Sequence, residues 1–154
     1  MAIKLFAMDV DGTMTDGKIY IGQNGEIMKA FHVKDGQGLS LLRKNGVKTA
    51  IITARRSEIV ERRAEELGID AVCQGVGDKA AVLEDLCRQY HILPQECAYI
   101  GDDLGDLPAM EVAGVSMCPA DAVPQVKLAA DMTLPSKGGE GAIRDAAEWI
   151  LGQM

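Results

Sequence analysis

The sequence predicts an α/β fold: a doubly wound parallel sheet with helices on both faces and one protruding β-hairpin. Three observations predict it. Short apolar runs of strand length alternate with helix-length amphipathic stretches. Several of those runs stop abruptly on polar residues and glycine, as strands do at the open edge of a parallel sheet. A single Gly-bounded pair of strand-like runs interrupts the alternation after the first strand.

Taken in order, Ile3–Val10 is an apolar run that ends in Asp11-Gly12. Lys18–Ile21 and Glu26–His32 flank Gly22-Gln23-Asn24-Gly25 and read as the two arms of a hairpin. Gly38–Lys44 reads as a helix stopped at Asn45-Gly46. Val47–Thr53 is a second buried strand. Ser57 is placed to cap a helix whose buried stripe would be Ile59, Arg63 and Leu67, with Gly68 as its stop. Ala71–Gln74 is a short strand. Asp78–His91 is a helix, with Ala81, Leu83, Leu86, Cys87 and Tyr90 available to its buried face. After Pro94-Gln95-Glu96 come a strand at Cys97–Ile100, a helix at Leu107–Ala113 and a strand at Val115–Cys118. A helix at Pro124–Ala129, a brief strand at Met132–Leu134 and a closing helix at Gly141–Leu151 complete the chain. No repeat or linker divides it, so residues 1–154 are expected to form one domain.

Composition excludes several classes of function. At 47% hydrophobic residues the 154-residue chain has enough apolar material for a core without disulfide or metal staples. Sixteen Lys+Arg against 23 Asp+Glu leave a net charge of -7, and the longest basic clusters are Arg55-Arg56 and Arg62-Arg63, so nucleic-acid binding is not expected. No apolar run approaches the roughly 20 residues a membrane span requires. Met1 leads straight into a strand-like run, and Cys73, Cys87, Cys97 and Cys118 form no Cys-x-x-Cys pair. The expectation is a cytoplasmic protein with reduced core thiols. His32 and His91 are too few and too far apart for a histidine metal site.

The chemistry gathers at four strand ends. The first carries Asp9-Val10-Asp11-Gly12-Thr13, the second Thr53-Ala54-Arg55, the third leads to Lys79, and the fourth carries Gly101-Asp102-Asp103-Leu104-Gly105-Asp106. Asp9 and Asp11 are two apart, so an extended chain projects their carboxylates to one side. With Asp102 they make an all-oxygen site suited to Mg²⁺. A carboxylate facing a phosphoryl group can act as nucleophile, and a second can protonate the leaving oxygen and then activate water. Thr53 can donate a hydrogen bond to a phosphoryl oxygen, and Lys79 supplies positive charge to phosphate and carboxylates alike. Taken singly, an Asp-x-Asp, a strand-end Thr, a helix-start Lys or an Asp-Asp cap is ordinary. Their occurrence in order, at successive ends of one sheet, is not.

These four segments resemble the four motifs of the haloacid dehalogenase superfamily, and the resemblance covers nearly the whole chain. It implies Asp9 as nucleophile and Asp11 as general acid/base. It also implies Mg²⁺ held by Asp9, the Asp11 backbone carbonyl and Asp102, with Asp103 and Asp106 in support. An Asp at position 11 favours phosphate transfer over dehalogenation. Only 42 positions separate Asp11 from Thr53 and 26 separate Thr53 from Lys79, so neither interval holds an inserted cap domain.

Phe31–Gly36, Thr53-Ala54-Arg55, Val60-Glu61-Arg62-Arg63 and Gly138–Arg144 narrow the resemblance to capless phosphatases of phosphorylated 3-deoxy-2-keto sugar acids, enzymes of lipopolysaccharide synthesis. The implied substrate is an eight-carbon acid 8-phosphate; the nine-carbon 9-phosphate is the alternative. His32, Val33, Lys34, Asp35, Gly36, Asp11, Arg55, Arg63 and Lys79 would then contact substrate, and the enzyme would be a homotetramer with active sites near subunit interfaces. Two departures from the common pattern are Ala54 in place of glycine and Ser40 in place of an arginine carried by some members. A phospho-accepting receiver domain is the rival from another class, but it gives no role to Asp11 or to the terminal arginine-bearing segment. A slack version serving only as an oligomerisation domain is opposed by intact Asp9, Asp11, Lys79 and Asp102.

Overall fold

The computed structural model describes residues 2–154. Six parallel strands form the central sheet in the order β5-β4-β1-β6-β7-β8, and β2 and β3 form a separate antiparallel hairpin. The central strands are β1 (Leu5–Met8), β4 (Lys48–Ile52), β5 (Ala71–Cys73), β6 (Cys97–Ile100), β7 (Val115–Cys118) and β8 (Met132–Thr133). The hairpin is β2 (Tyr20–Gly22) and β3 (Gly25–Met28), and the helices are α1 (Val33–Lys44), α2 (Glu58–Leu67), α3 (Lys79–Tyr90), α4 (Leu107–Val112), α5 (Pro124–Ala129) and α6 (Ala142–Gly152). The expected doubly wound sheet and hairpin are therefore present.

Strand alternation sorts the core into two layers. Phe6 and Met8 of β1 face one side, with Ile51 and Ile100, and are covered by Leu39 and Leu42 of α1, Val60 and Ala64 of α2, and Ile143, Ala147 and Ile150 of α6. Leu5 and Ala7 face the other, with Ala50, Ile52 and Tyr99, under Leu83 and Leu86 of α3, Met110 of α4 and Val126 of α5. With both faces covered, the strands read as continuous apolar runs rather than alternating ones. The chain leaves β1 toward β4 and β5, then crosses back to β6 on the other side of β1. That reversal opens a crevice at the carboxyl ends of β1 and β6. Among the described residues no helix is long and apolar enough to cross a membrane.

Three local expectations need correction. Helix α1 begins at Val33, not Gly38, with His32 as its N-cap: the ring Nδ1 accepts from the Lys34 amide at 3.1 Å. Gly36 and Gly38, poor helix formers, hid that first turn. The buried stripe of α2 is Val60 and Ala64; Ile59, Arg63 and Leu67 flank it half-buried, because the helix is rotated by about one position relative to the sheet. On α3 Ala81 is exposed and Tyr90 half-buried, and it is Lys79 that joins Leu83, Leu86 and Cys87 on the buried face.

The segment before α6 braces the first strand end. The Gly139 amide donates to the Thr13 carbonyl at 3.2 Å. A Cβ on Gly138 would fall 1.9 Å from the Gly12 carbonyl oxygen, a clash with backbone that no rotamer relieves. Gly138→Ala should therefore destabilise the protein by about 1–3 kcal/mol, the usual range for overpacking, read as a lowered urea midpoint. An unchanged midpoint would show that the segment does not brace the turn.

Candidate active site

Asp9, Asp11, Thr53, Ala54, Arg55, Lys79, Asp102, Asp103, Gly105 and Asp106 line one cleft of about 230 Å³ at the carboxyl ends of β1, β4 and β6. Each arrives there for a local reason. Asp9 follows the last residue of β1, and its amide still bonds the Ile100 carbonyl at 3.1 Å, so it is fixed by the sheet ladder. The next residues turn sharply: the amides of Thr13, Met14 and Thr15 all reach the Val10 carbonyl, while Thr15 Oγ1 accepts from Gly12 and Gly17. Gly12 has φ +90°, and a Cβ there would meet Asp102 Oδ2 at 1.9 Å, so only glycine lets the turn approach that carboxylate. Lys79 is the first residue of α3, behind an Asp78 cap that accepts from the Ala81 amide at 3.1 Å.

Lys79 Nζ lies 3.0 Å from Asp9 Oδ1 and 2.8 Å from Asp106 Oδ1, with its side chain 7% exposed. Burial alone would lower its pKa, but the two carboxylates outweigh that and hold it above the ordinary lysine value. Asp106 is fully committed within the protein. Besides Lys79, its Oδ1 accepts from the Tyr99 hydroxyl, and its Oδ2 accepts from the Asp102 and Asp103 amides at 2.9 and 3.1 Å. Asp103 caps the short turn that follows and is otherwise exposed.

Ligand atoms of Asp9, Asp102 and Asp106 lie within 4.8 Å of one another. Asp106 has no capacity to spare; Asp9 shares the Lys79 ammonium with it, and Asp102, which accepts from the Thr13 hydroxyl at 3.4 Å, faces Asp9 without a cation of its own among the described residues. Burial, then the neighbouring Asp106, raises Asp9 to about 6. Burial, then Asp9 itself, raises Asp102 to about 8. Two buried carboxylates that resist ionising together are a donor pair suited to a hard divalent cation. The residues present therefore fit Mg²⁺. The Asp11 carboxylate is not part of that cluster. β1 ends at Met8, so the extended geometry expected for Asp9-Val10-Asp11 gives way to a turn, and Asp11 Oδ1 is taken by Lys29 Nζ at 2.6 Å.

Thr53 and Arg55 reach the cleft; His32, Val33, Lys34, Asp35, Gly36 and Arg63 do not line it. His32 and Lys34 border a separate hollow of about 420 Å³ with Ser136, Glu140 and Arg144. Arg63 stands over the Phe31 ring at 5.5 Å, and its Nε is buried without a hydrogen-bond partner, as is Asp35 Oδ2. A larger hollow of about 1010 Å³ beside α2 is lined by four glutamates and Arg62 and brings no such groups together. Sequence reasoning did not find Lys29 or Tyr99. Lys29 read as an ordinary hairpin residue and Tyr99 as core, and nothing local marks either one's partner.

Asp35 carries a cost. Burial raises it from 3.8 to about 6, although its Oδ1 accepts from the Arg144 amide. The folded state therefore binds this proton more tightly than the unfolded chain. Its contribution favours folding below about pH 4 and is lost as pH rises through 6. Asp35→Asn should stabilise the protein by about 1–2 kcal/mol near pH 8 and by almost nothing near pH 4. Urea unfolding at the two pH values checks this, and an equal effect at both would refute it.

Comparison with known proteins agrees with this geometry. Residues 32–114 match the family model of the haloacid dehalogenase-like hydrolases. The chain is 42% identical over 149 residues to the 3-deoxy-D-manno-octulosonate 8-phosphate phosphatase of Escherichia coli K12, covering 97% of this chain and 79% of that one. The enzyme of that name from Moraxella catarrhalis, solved with a magnesium ion, a phosphate ion and a KDO molecule, is 45% identical with a TM-score of 0.94, over 97% and 86% of the two chains. The cobalt-bound phosphatase from Haemophilus influenzae is 41% identical with a TM-score of 0.95, over 97% and 88%.

Proposed function

The chain belongs to the haloacid dehalogenase-like hydrolases, and we infer that it hydrolyses 3-deoxy-D-manno-octulosonate 8-phosphate to the free sugar acid and phosphate, with Mg²⁺ as cofactor. The observation that carries this is the convergence of Asp9, Asp102, Lys79, Thr53 and Asp11 on one cleft. We read residues 1–154 as one catalytic domain. The four free cysteines, none in a disulfide, suit a cytoplasmic enzyme of lipopolysaccharide synthesis.

Asp9, Asp102 and the Asp11 carbonyl would hold the cation. When bound, Mg²⁺ neutralises the facing carboxylates and draws charge from the phosphoryl oxygens. Asp9 attacks phosphorus and becomes the aspartyl-phosphate while Asp11 protonates the departing sugar oxygen. Asp11 then takes a proton from the water that releases phosphate. Thr53 and Lys79 bind the phosphoryl oxygens, and Lys79 keeps Asp9 ionised and aimed. Arg55 at the rim offers a planar fork to an anionic sugar acid.

The test is a panel of phosphorylated sugar acids and simple hexose phosphates assayed with and without chelator. The eight-carbon acid should give the highest kcat/KM, chelation should abolish turnover, and Asp9→Asn should lose about three orders of magnitude or more while keeping its fold. A preference for the nine-carbon acid would move the substrate. Activity surviving in Asp9→Asn would remove the mechanism.

A cleft of about 230 Å³ takes a phosphoryl group but is below the roughly 300–1,000 Å³ of pockets that enclose a whole small ligand. The hairpin beside it leaves Ile21 68% and Ile27 64% exposed, more apolar surface than a lone two-stranded flap keeps in water. Both points support a homotetramer in which hairpins pack together. His32, Val33, Lys34, Asp35, Gly36 and Arg63 would then serve a neighbour's cleft as the sugar-acid subsite. Light scattering behind a sizing column should give a mass four times that of the chain. A fully active monomer would overturn the assembly and the shared site together.

A further inference from the structure

The hairpin touches the catalytic machinery at one point, and nothing in the mechanism above uses it. Lys29 directly follows β3, in an otherwise solvated arm, yet its side chain is only 2% exposed. Its Nζ lies 2.6 Å from Asp11 Oδ1 and 3.0 Å from Glu26 Oε2. Glu26 is itself held by the Ser57 hydroxyl, and Ser57 is the N-cap of α2, tied through its amide to Gln74 Oε1 at 2.7 Å. The result is a continuous polar chain from the Asp11 carboxylate to the loop that follows β4. A lysine drawn in from solvent and set between two carboxylates costs desolvation and side-chain entropy; a surface hairpin could have avoided both.

We propose that Lys29 is a positioning residue, fixing the Asp11 carboxyl group where it meets the leaving oxygen, with Glu26 and Ser57 fixing Lys29 in turn. This rests on the reading of Asp11 as acid/base. Asp11 sits in a turn, its side chain 20% exposed, and Lys29 is the side chain bonded to it among the described residues. Without that anchor the carboxyl group is free to rotate away. In the first half-reaction an Asp9 oxygen bonds to phosphorus, the bond from phosphorus to the sugar oxygen breaks, and the Asp11 proton passes to that oxygen. A poorly placed Asp11 damages this step only when the leaving oxygen needs the proton. An alkoxide does; a nitrophenolate departs without it.

The experiment measures kcat/KM, which reports the first irreversible step, for the sugar-acid phosphate, glycerol phosphate and p-nitrophenyl phosphate. Lys29→Met should lose about 100-fold on both alkyl phosphates and less than about 5-fold on the aryl phosphate, as expected for a displaced general acid. Lys29→Arg should recover most of the loss. Glu26→Gln should show the same selectivity at smaller size, and it carries the test if Lys29→Met does not fold. Equal losses on all three substrates would mean a merely structural lysine and overturn the proposal. A loss confined to the sugar acid would make Lys29 a substrate contact and overturn it as well. Asp11→Asn is the benchmark: if it shows no leaving-group selectivity, the acid/base reading itself falls. A selective Asp11→Asn beside an unselective Lys29→Met removes only the role given to Lys29.

Discussion

The buried Lys79 ammonium, shared between Asp9 and Asp106, is the constraint on which the rest of the site depends. Parallel-sheet topology brings the ends of β1 and β6 side by side, and with them Asp9, Asp102 and Asp106. Three carboxylates so close cannot all ionise in an apolar setting without compensation. Lys79 cancels one charge from the start of α3, and a divalent cation would cancel the other two. The count closes at zero only with both. This explains why Asp106, saturated by Lys79, Tyr99 and two amides, acts as the fixed counter-charge while Asp9 and Asp102 retain the reluctance to ionise that a cation would relieve.

The hydrophobic layers serve this arrangement without specifying it. Phe6 and Met8 pack under α1 and α6, Leu5 and Ala7 under α3, and any well-filled α/β core would do as much. Specificity enters where the ladder stops. The Asp9 amide remains bonded to β6, which sets its carboxylate, while three residues later Gly12 takes a backbone conformation that brings the chain onto Asp102. Buried, hydrogen-bonded strand ends hold Asp9, the proposed nucleophile, rigidly. In the turn after them the Asp11 side chain alone stays 20% exposed, and there a side chain from outside the central sheet, Lys29, makes the bond to it.

What the sequence revealed follows the same division. Asp9, Thr53, Lys79 and Asp102 were legible because each marks the end of an apolar run or the start of a helix, and sheet topology converts those ends into neighbours. The first turn of α1 was not, since Gly36 and Gly38 weaken its helical signal and its cap is a histidine. The buried face of α2 was misjudged by one position, which a stripe of apolar residues cannot resolve when Val60 and Ala64 stand beside Ile59 and Leu67. Lys29 and Tyr99 were invisible for a different reason. Their roles lie in partners 18 and 7 residues away that only the folded turn and strand end bring within reach.

On the proposed function, the cleft and the His32–Gly36 stretch would divide the work physically. Phosphoryl transfer demands rigid, preorganised charge, and the sheet end supplies it in a space scarcely larger than the transferred group. Recognising a sugar acid demands a larger surface with several donors, which one sheet end cannot offer without loosening the first. Asp35 stays buried and ionisable at a cost to stability, and Arg63 keeps an unpartnered nitrogen over Phe31, both away from the cleft. The hairpin stands between the two regions, latched to Asp11 by Lys29 and to α2 by Glu26 while its apolar side chains face outward. On the proposed assembly, whatever packs against those side chains also bears on the acid/base, so closing the site and aligning its proton donor become one event.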